Sequence, residues 1–208
     1  MLFRRKSPAF ADTDLPGIIA ACRANDPRAQ RTLFKQFFGY AKSICLRYTS
    51  SVEEAEDVLN EGFLKVFQHL DQFDTNQPFK AWLRTILVNT AISHYRKNQR
   101  HDATVGLESG EDVPFDDNIV DRMAAEDILA LVQQLSPTYR TVFMMHVVDG
   151  YSLREIADQL AHNEATVRSN FARARQKLQQ MIRQLHAHQP AAGSPSPDST
   201  TSFPYHEH

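Results

Sequence analysis

The sequence predicts an all-α protein with two small helical domains, and three observations carry that prediction. Apolar residues recur at three- and four-residue spacing through most of the chain, and we find no strand-like alternation of apolar and polar residues. Helix start signals precede several of these segments. An acidic segment without a clear period separates two basic ones. With 208 residues and 42% apolar content, the chain has enough material for two cores.

The first predicted domain, residues 14–100, follows a loose leader at 1–13. Its helices are expected to start where a side-chain oxygen can accept from a free amide, as at Asp26 before Pro27 and in a Ser51–Glu54 capping box. The four helices are expected at 15–24, from Pro27, from 52 to about 70, and from Pro78 to roughly 98. The polar stretch 71–77 is predicted to be a loop.

The second predicted domain, residues 121–187, ends in a pattern typical of a helix-turn-helix. A capping box at Ser152 starts a short helix, and residues 161–163 have the length of the turn. Asn163 can cap the following helix, which is basic, with five Lys/Arg and one Glu over 163–185. Such a helix can enter the major groove of DNA. The alternative is a solvated basic face on an ordinary helix.

The phase of this last helix favours the DNA-binding interpretation. One stripe is apolar and suited to packing, with Val167, Phe171, Ala174, Leu178 and Leu185. The opposite side combines small residues with cations that can reach base edges or phosphates, namely Arg168, Ser169, Ala172, Arg173, Arg175 and Gln176.

The rest of the composition limits the classes of function. Residues 101–120 are acidic and predicted to be a flexible linker, and residues 188–208 a disordered tail. Cys22 and Cys45 are expected to pack as small apolar side chains. Metal-ligand spacings, a Gly-rich phosphate loop and a nucleophile motif are missing, so we expect no cofactor, no metal and no enzyme. Without an apolar run of membrane-spanning length or a signal peptide, the expected location is cytoplasmic, with no membrane insertion.

Three segments, in this order and spacing, resemble the extracytoplasmic-function (ECF) group of bacterial RNA polymerase sigma factors. They are EAEDVLNEGFLKVFQHLDQFD at 54–74, PFKAWLRTILVNTAISHYRKNQR at 78–100 and DGYSLREIADQLAHNEATVRSNFARARQKL at 149–178. The resemblance covers nearly all of 15–185. It implies a non-catalytic factor that binds core RNA polymerase through its β′ and β subunits, directs it to promoters and helps to open the DNA.

The resemblance also implies where each partner binds. The acidic third helix would contact a coiled coil of β′, and helical phase turns outward Asp57, Asn60, Glu61, Leu64 and Gln68. The segment 71–100 would read the minus-ten element as a single strand, through Phe73, Arg84, Asn89, Arg96, Lys97 and Arg100. The last helix would read the minus-thirty-five duplex through Arg168, Ser169, Ala172 and Arg173, with Arg175 and Lys177 on the backbone.

Two rival functions and one further partner stay open at this point. A conventional helix-turn-helix regulator of duplex DNA would share the basic last helix, but it leaves the basic and aromatic block at 78–100 unexplained. A nucleic-acid-modifying enzyme would need clustered carboxylates or a His/Cys set, which the sequence does not offer. Members of the resembled family are often held inactive by an anti-sigma factor, and nothing in this sequence requires one.

Overall fold

The computed structural model describes residues 14–99 and 125–188, and within these ranges all regular structure is helical. The α-helices are α1 Leu15–Arg23, α2 Pro27–Tyr48, α3 Val52–His69, α4 Phe79–Gln99, α5 Ala125–Gln133, α6 Pro137–Phe143, α7 Leu153–Leu160 and α8 Glu164–His188. A 3₁₀ turn, Leu70–Gln72, follows α3, and a π-helical turn, Met144–Val148, follows α6. The all-α prediction is confirmed. In this part of the chain, each helix is too short or too polar to cross a membrane.

The first domain is built on α2, α3 and α4, with α1 packed against α2. Aromatic rings fill the space where the start of α4 meets α2 and the loop after α3. Phe79 lies 4.9 Å from Phe37 and 5.3 Å from Phe73, measured between ring centroids. Gly62 lets α3 and α4 approach closely, because a Cβ there would lie 2.6 Å from a methyl carbon of Leu87. Close packing of this kind gives α4 a rigid base.

The predicted helix starts are largely confirmed. Asp26 Oδ1 accepts from the Arg28 amide at 2.7 Å, and Ser51 Oγ accepts from the Glu54 amide at 3.1 Å. The capping box at Ser51 is only half formed, however, because the Glu54 carboxylate accepts from the amide of Ser50, one residue earlier than predicted. Glu54 also faces His94, with 3.5 Å between Oε1 and Nδ1. The box at Ser152 is complete.

The second domain places α8 against α6 and α7. The turn between α7 and α8 begins at Ala161, whose φ of 55° is left-handed, and Asn163 Oδ1 accepts from the Ala165 amide at 2.8 Å. The predicted helix-turn-helix is therefore present. One residue of the predicted apolar stripe is wrong: Leu185 is 48% exposed, and Ile182, at 4%, is buried in its place. Leu185 lies near the end of α8, beyond the part of the helix that α6 and α7 can cover.

The two domains pack against each other. Arg140 of α6 is 2% exposed and donates across the boundary to the Thr49 carbonyl and, at 3.2 Å, to Ser50 Oγ. Tyr95 of α4 donates to Thr138 Oγ1 at 3.1 Å. The predicted leader and acidic linker lie outside the described residues, as does the predicted tail after His188, which itself is helical and ends α8. The predicted domain limits stay predictions.

Candidate functional site

The outer face of α3 carries the predicted polymerase-binding residues, and all of them are exposed. They are Asp57, Asn60, Glu61, Leu64 and Gln68. The opposite face is buried, as the phase predicted, with Ala55, Leu59 and Val66 at 1% exposure or less. Leu64 is 58% exposed, and Glu61 pairs with Lys65 at 2.7 Å. The result is an acidic surface around one exposed leucine, which suits a basic partner with an apolar contact.

The predicted minus-ten residues on α4 divide between two sides of the helix. Asn89, Arg96 and Lys97 are exposed, so their amide and cationic groups are available to bases and phosphates. Arg84 lies on the side that faces the second domain and is engaged there. Arg100 lies outside the described residues.

The prediction that Phe73 contacts DNA is wrong for the structure described. Phe73 is 4% exposed, and its ring lies 5.1 Å from the ring of Trp82, so it belongs to the core. Its carbonyl accepts from Arg23 Nη2 at 2.6 Å, which fixes the backbone at the start of the loop. A polar loop made this aromatic residue look available, but neighbouring rings from α4 cover it. Phe73 therefore anchors the start of the loop in the core, and the loop residues after it, 74–78, are exposed.

Arg84 reaches across the domain boundary to Asp149, which follows the π-helical turn. Its Nε donates to Asp149 Oδ1 at 3.0 Å, and its Nη2 donates to the same oxygen and, at 2.8 Å, to the Val148 carbonyl. Oδ2 of Asp149 is buried and has no hydrogen-bond partner among the described residues. Burial raises the pKa of Asp149 to about 6, and the nearby cation of Arg47 opposes that rise.

The predicted minus-thirty-five residues lie along one side of α8. Arg168 is exposed and pairs with Glu164 at 2.8 Å, one turn earlier on the helix. Ser169, Ala172 and Arg173 are half-buried, and Arg173 Nε is buried without a hydrogen-bond partner among the described residues. Only part of the Arg173 guanidinium is therefore exposed to solvent.

Two further predicted residues of α8 are held against rings. The guanidinium carbon of Arg175 lies 5.8 Å from the Phe171 ring, and Lys177 Nζ lies 5.6 Å from the Tyr139 ring. Contacts of this kind restrict long cationic side chains and aim them before a ligand arrives. Their contact with the DNA backbone stays a prediction.

Sequence reasoning missed the residues that join the domains, Asp149 and Arg140 above all. The sequence gave one sign that Arg140 is buried, because it directly precedes the mostly apolar run TVFMM at 141–145. Asp149 gave none, because an acidic residue before Gly150 reads as an ordinary helix end. In the part of the chain that the structure describes, three or more potential metal-ligating side chains are nowhere gathered into a group.

Comparison with known proteins connects these surfaces to a family. The family model described as Sigma-70 region 2 matches residues 33–101, and the one described as Sigma-70, region 4 matches residues 125–178. The chain is 30% identical over 154 residues to the ECF RNA polymerase sigma factor SigW of Bacillus subtilis. This alignment covers 68% of this chain and 82% of SigW. It is 30% identical over 174 residues to SigL, an ECF RNA polymerase sigma factor of Mycobacterium tuberculosis. That alignment covers 80% of this chain and 96% of SigL.

A solved structure also aligns with the chain. It is the sigma factor RpoE of Bartonella quintana in complex with the anti-sigma factor NepR, at a TM-score of 0.42 and 22% identity. The alignment covers 82% of this chain and 94% of that one.

Proposed function

The chain belongs to the ECF RNA polymerase sigma factors and directs core RNA polymerase to promoters, and on that premise we propose which residues make each contact. It binds core polymerase and promoter DNA, and in our proposal it catalyses no reaction of its own. The proposed place of action is the cytoplasm, where polymerase and promoters meet. An anti-sigma factor as a further partner stays an expectation from the family resemblance.

We propose that the outer face of α3 binds the coiled coil of the β′ subunit. The single observation that carries this is the exposed acidic surface around Leu64, opposite a fully buried face. Acidic groups steer a basic partner toward the surface, and the leucine supplies the apolar contact that becomes buried. Asp57 and Glu61 are separated by one helical turn and point to the same side.

The test is the double variant Asp57→Arg/Glu61→Arg. We expect it to lose at least tenfold in affinity for core polymerase, since two attractive charges become repulsive (about 1.4 kcal/mol is tenfold). The control is Lys35→Glu/Arg31→Glu, two exposed residues of α2 with the same spacing and a charge reversal of the same size and opposite sign. Binding of the α3 variant at wild-type strength, measured by competition with another sigma factor, would remove this assignment.

For the minus-ten element we propose Asn89, Arg96 and Lys97 as the accessible contacts, with Arg84 added when it is released from Asp149. The loop that starts after Phe73 would hold a base that leaves the stack. Extruding a base costs a few kcal/mol, so a rigid pocket wall is useful, and the Phe73–Phe79–Trp82 ring cluster provides that rigidity. Arg100, the residue after the end of α4, remains a proposed phosphate contact.

For the minus-thirty-five element we propose that Arg168, Ser169, Ala172 and Arg173 face the major groove, flanked by Arg175 and Lys177 on the backbone. Run-off transcription with core polymerase on sheared genomic DNA, with the RNA 5′ ends sequenced, would give the promoter elements. On the resulting site, Arg173→Ala should cost about 1–3 kcal/mol at one base pair. An equal loss on random duplex DNA would reassign Arg173 to the phosphate backbone.

A further inference from the structure

Arg84 is bound in the way that it would bind a phosphate. Its guanidinium donates to a carboxylate oxygen and a carbonyl oxygen, both from the second domain, at Asp149 and Val148. The side chain of Asp149 is only 7% exposed, whereas that of Arg84 keeps 38%. Guanidinium groups bind carboxylates and phosphates with the same donors, so one anion excludes the other.

Other contacts hold the second domain over the same side of α4. His162, in the turn of the helix-turn-helix, meets the side chain of Gln99 with 3.1 Å between Nε2 and Oε1. Arg84, Tyr95 and Gln99 are spaced eleven and four residues apart, which puts them on one side of the helix. The exposed residues Asn89 and Lys97 lie on the rest of its surface, whereas Arg96, also exposed, lines the cleft between α4 and the second domain. The second domain therefore covers one side of α4 and leaves the other open.

From these contacts we infer that Arg84 alternates between two anions, Asp149 when the domains are packed and a phosphate of the promoter strand when they separate. The inference rests on the proposed minus-ten role of α4. Packing of the domains and the DNA contact of Arg84 then exclude each other. Because such coupling is reciprocal, a strand that takes Arg84 favours separated domains, and packed domains bind the strand more weakly.

Asp149 is suited to being displaced. Its second carboxylate oxygen has no hydrogen-bond partner among the described residues, so the buried ion is incompletely satisfied. A phosphate diester on an exposed strand carries its charge without that desolvation. Exchange of Asp149 for phosphate therefore returns the carboxylate to water while the guanidinium keeps an anionic partner.

The test links the domains in the packed arrangement. Gln99→Cys/His162→Cys places one thiol on each side of a contact where the native side-chain ends are 3.1 Å apart, so that a short, reducible bismaleimide can link them. The native thiols of Cys22 and Cys45 are 4% and 0% exposed and are spared. Binding of a fluorescein-labelled pool of random single strands, about 15 nucleotides long, is measured by anisotropy before and after the linker is cleaved.

Cleavage of the linker should strengthen strand binding about tenfold, roughly the worth of one charge-assisted contact. In the cleaved chain, Arg84→Ala should weaken binding and reduce the magnitude of the slope of log K against log salt by about 0.7, the value for one phosphate on a single strand. In the linked chain, Arg84→Ala should change neither the strand affinity nor its salt dependence. The control Lys97→Ala, an exposed cation of the same helix that does not line the cleft, should weaken binding in both forms.

Each other result overturns the inference in a recognisable way. Failure of the linker to form would mean that the domains do not pack as described. An equal effect of Arg84→Ala in linked and cleaved chains would mean that packing does not hide Arg84, and its minus-ten role would survive. No effect of Arg84→Ala on strand binding in either form, with a loss in Lys97→Ala, would instead remove Arg84 from the proposed DNA site.

Discussion

Replacement of Arg140 by methionine should destabilise the second domain by about 3 kcal/mol. Arg140 donates five hydrogen bonds to buried or half-buried oxygens. Three of these acceptors are the carbonyls of Val132, Gln133 and Leu135, at or just after the end of α5. Helices leave their last carbonyls without partners, so this side chain acts as the cap of α5. It also donates to the Thr49 carbonyl of the first domain.

The magnitude follows from two opposing terms. Hydrogen bonds from a charged donor contribute about 1.5–3 kcal/mol each, and at least two acceptors, the carbonyls of Thr49 and Leu135, would be left in a buried environment. Removing the guanidinium also removes its cost of burial, which here lowers the pKa of Arg140, with Glu54 opposing that effect. Loss of one partner from a buried charged network typically costs about 3–5 kcal/mol, and we expect the lower end.

Urea unfolding separates the two domains, because Trp82 is the only tryptophan of the chain and lies in the first. Far-ultraviolet circular dichroism reports on all helices, whereas Trp82 fluorescence reports on the first domain. Arg140→Met should shift the dichroism transition strongly and the fluorescence transition less. The control Arg154→Met, at an exposed position of α7, should stay within about 0.5 kcal/mol. A shift no larger than that for Arg140→Met would refute the capping role.

Three smaller predictions concern the helix-turn-helix and the domain boundary. Ala161→Gly should stabilise the chain by about 0.5 kcal/mol, seen as a higher Tm, because glycine adopts a φ of 55° without steric cost. Asn163→Ala should cost about 1 kcal/mol in the same assay through the lost cap. The raised pKa of Asp149 favours packing below about pH 4, an advantage lost as pH rises through about 6. Energy transfer between dyes on Lys35→Cys and Arg183→Cys should therefore increase from pH 8 to pH 5, and Asp149→Asn should remove that step.

Local rules were enough to find the helices and the turn. The starts at Asp26, Ser51 and Ser152 each depend on a side-chain oxygen and a nearby amide, which are close in sequence. The exposure of the α3 face that we propose binds polymerase was also predictable, because helical phase alone decides which residues point away from the core. These are short-range properties, and a single sequence contains them.

Contacts between the domains were not predictable, because their partners are far apart in sequence and carry no local signal. Arg84 and Asp149 are 65 residues apart, and Arg140 and Thr49 are 91 apart. The error at Phe73 has the same origin. Its neighbours in sequence are polar, and only the fold brings the Phe79 and Trp82 rings over it.

The unusual apolar pattern of α4 now has a physical explanation. Its apolar residues cover more than one stripe, wider than packing in the first domain alone requires. Leu83 and Leu87 are fully buried in the first domain, while Ala91 and Tyr95 line the cleft against Thr138 of the second. The second stripe therefore matches a second protein neighbour, and Asn89, Arg96 and Lys97, which we propose contact DNA, remain exposed. With the proposed DNA contact added to these two protein neighbours, α4 has little unoccupied surface, and Arg84 lies at the border between the second domain and the proposed DNA site.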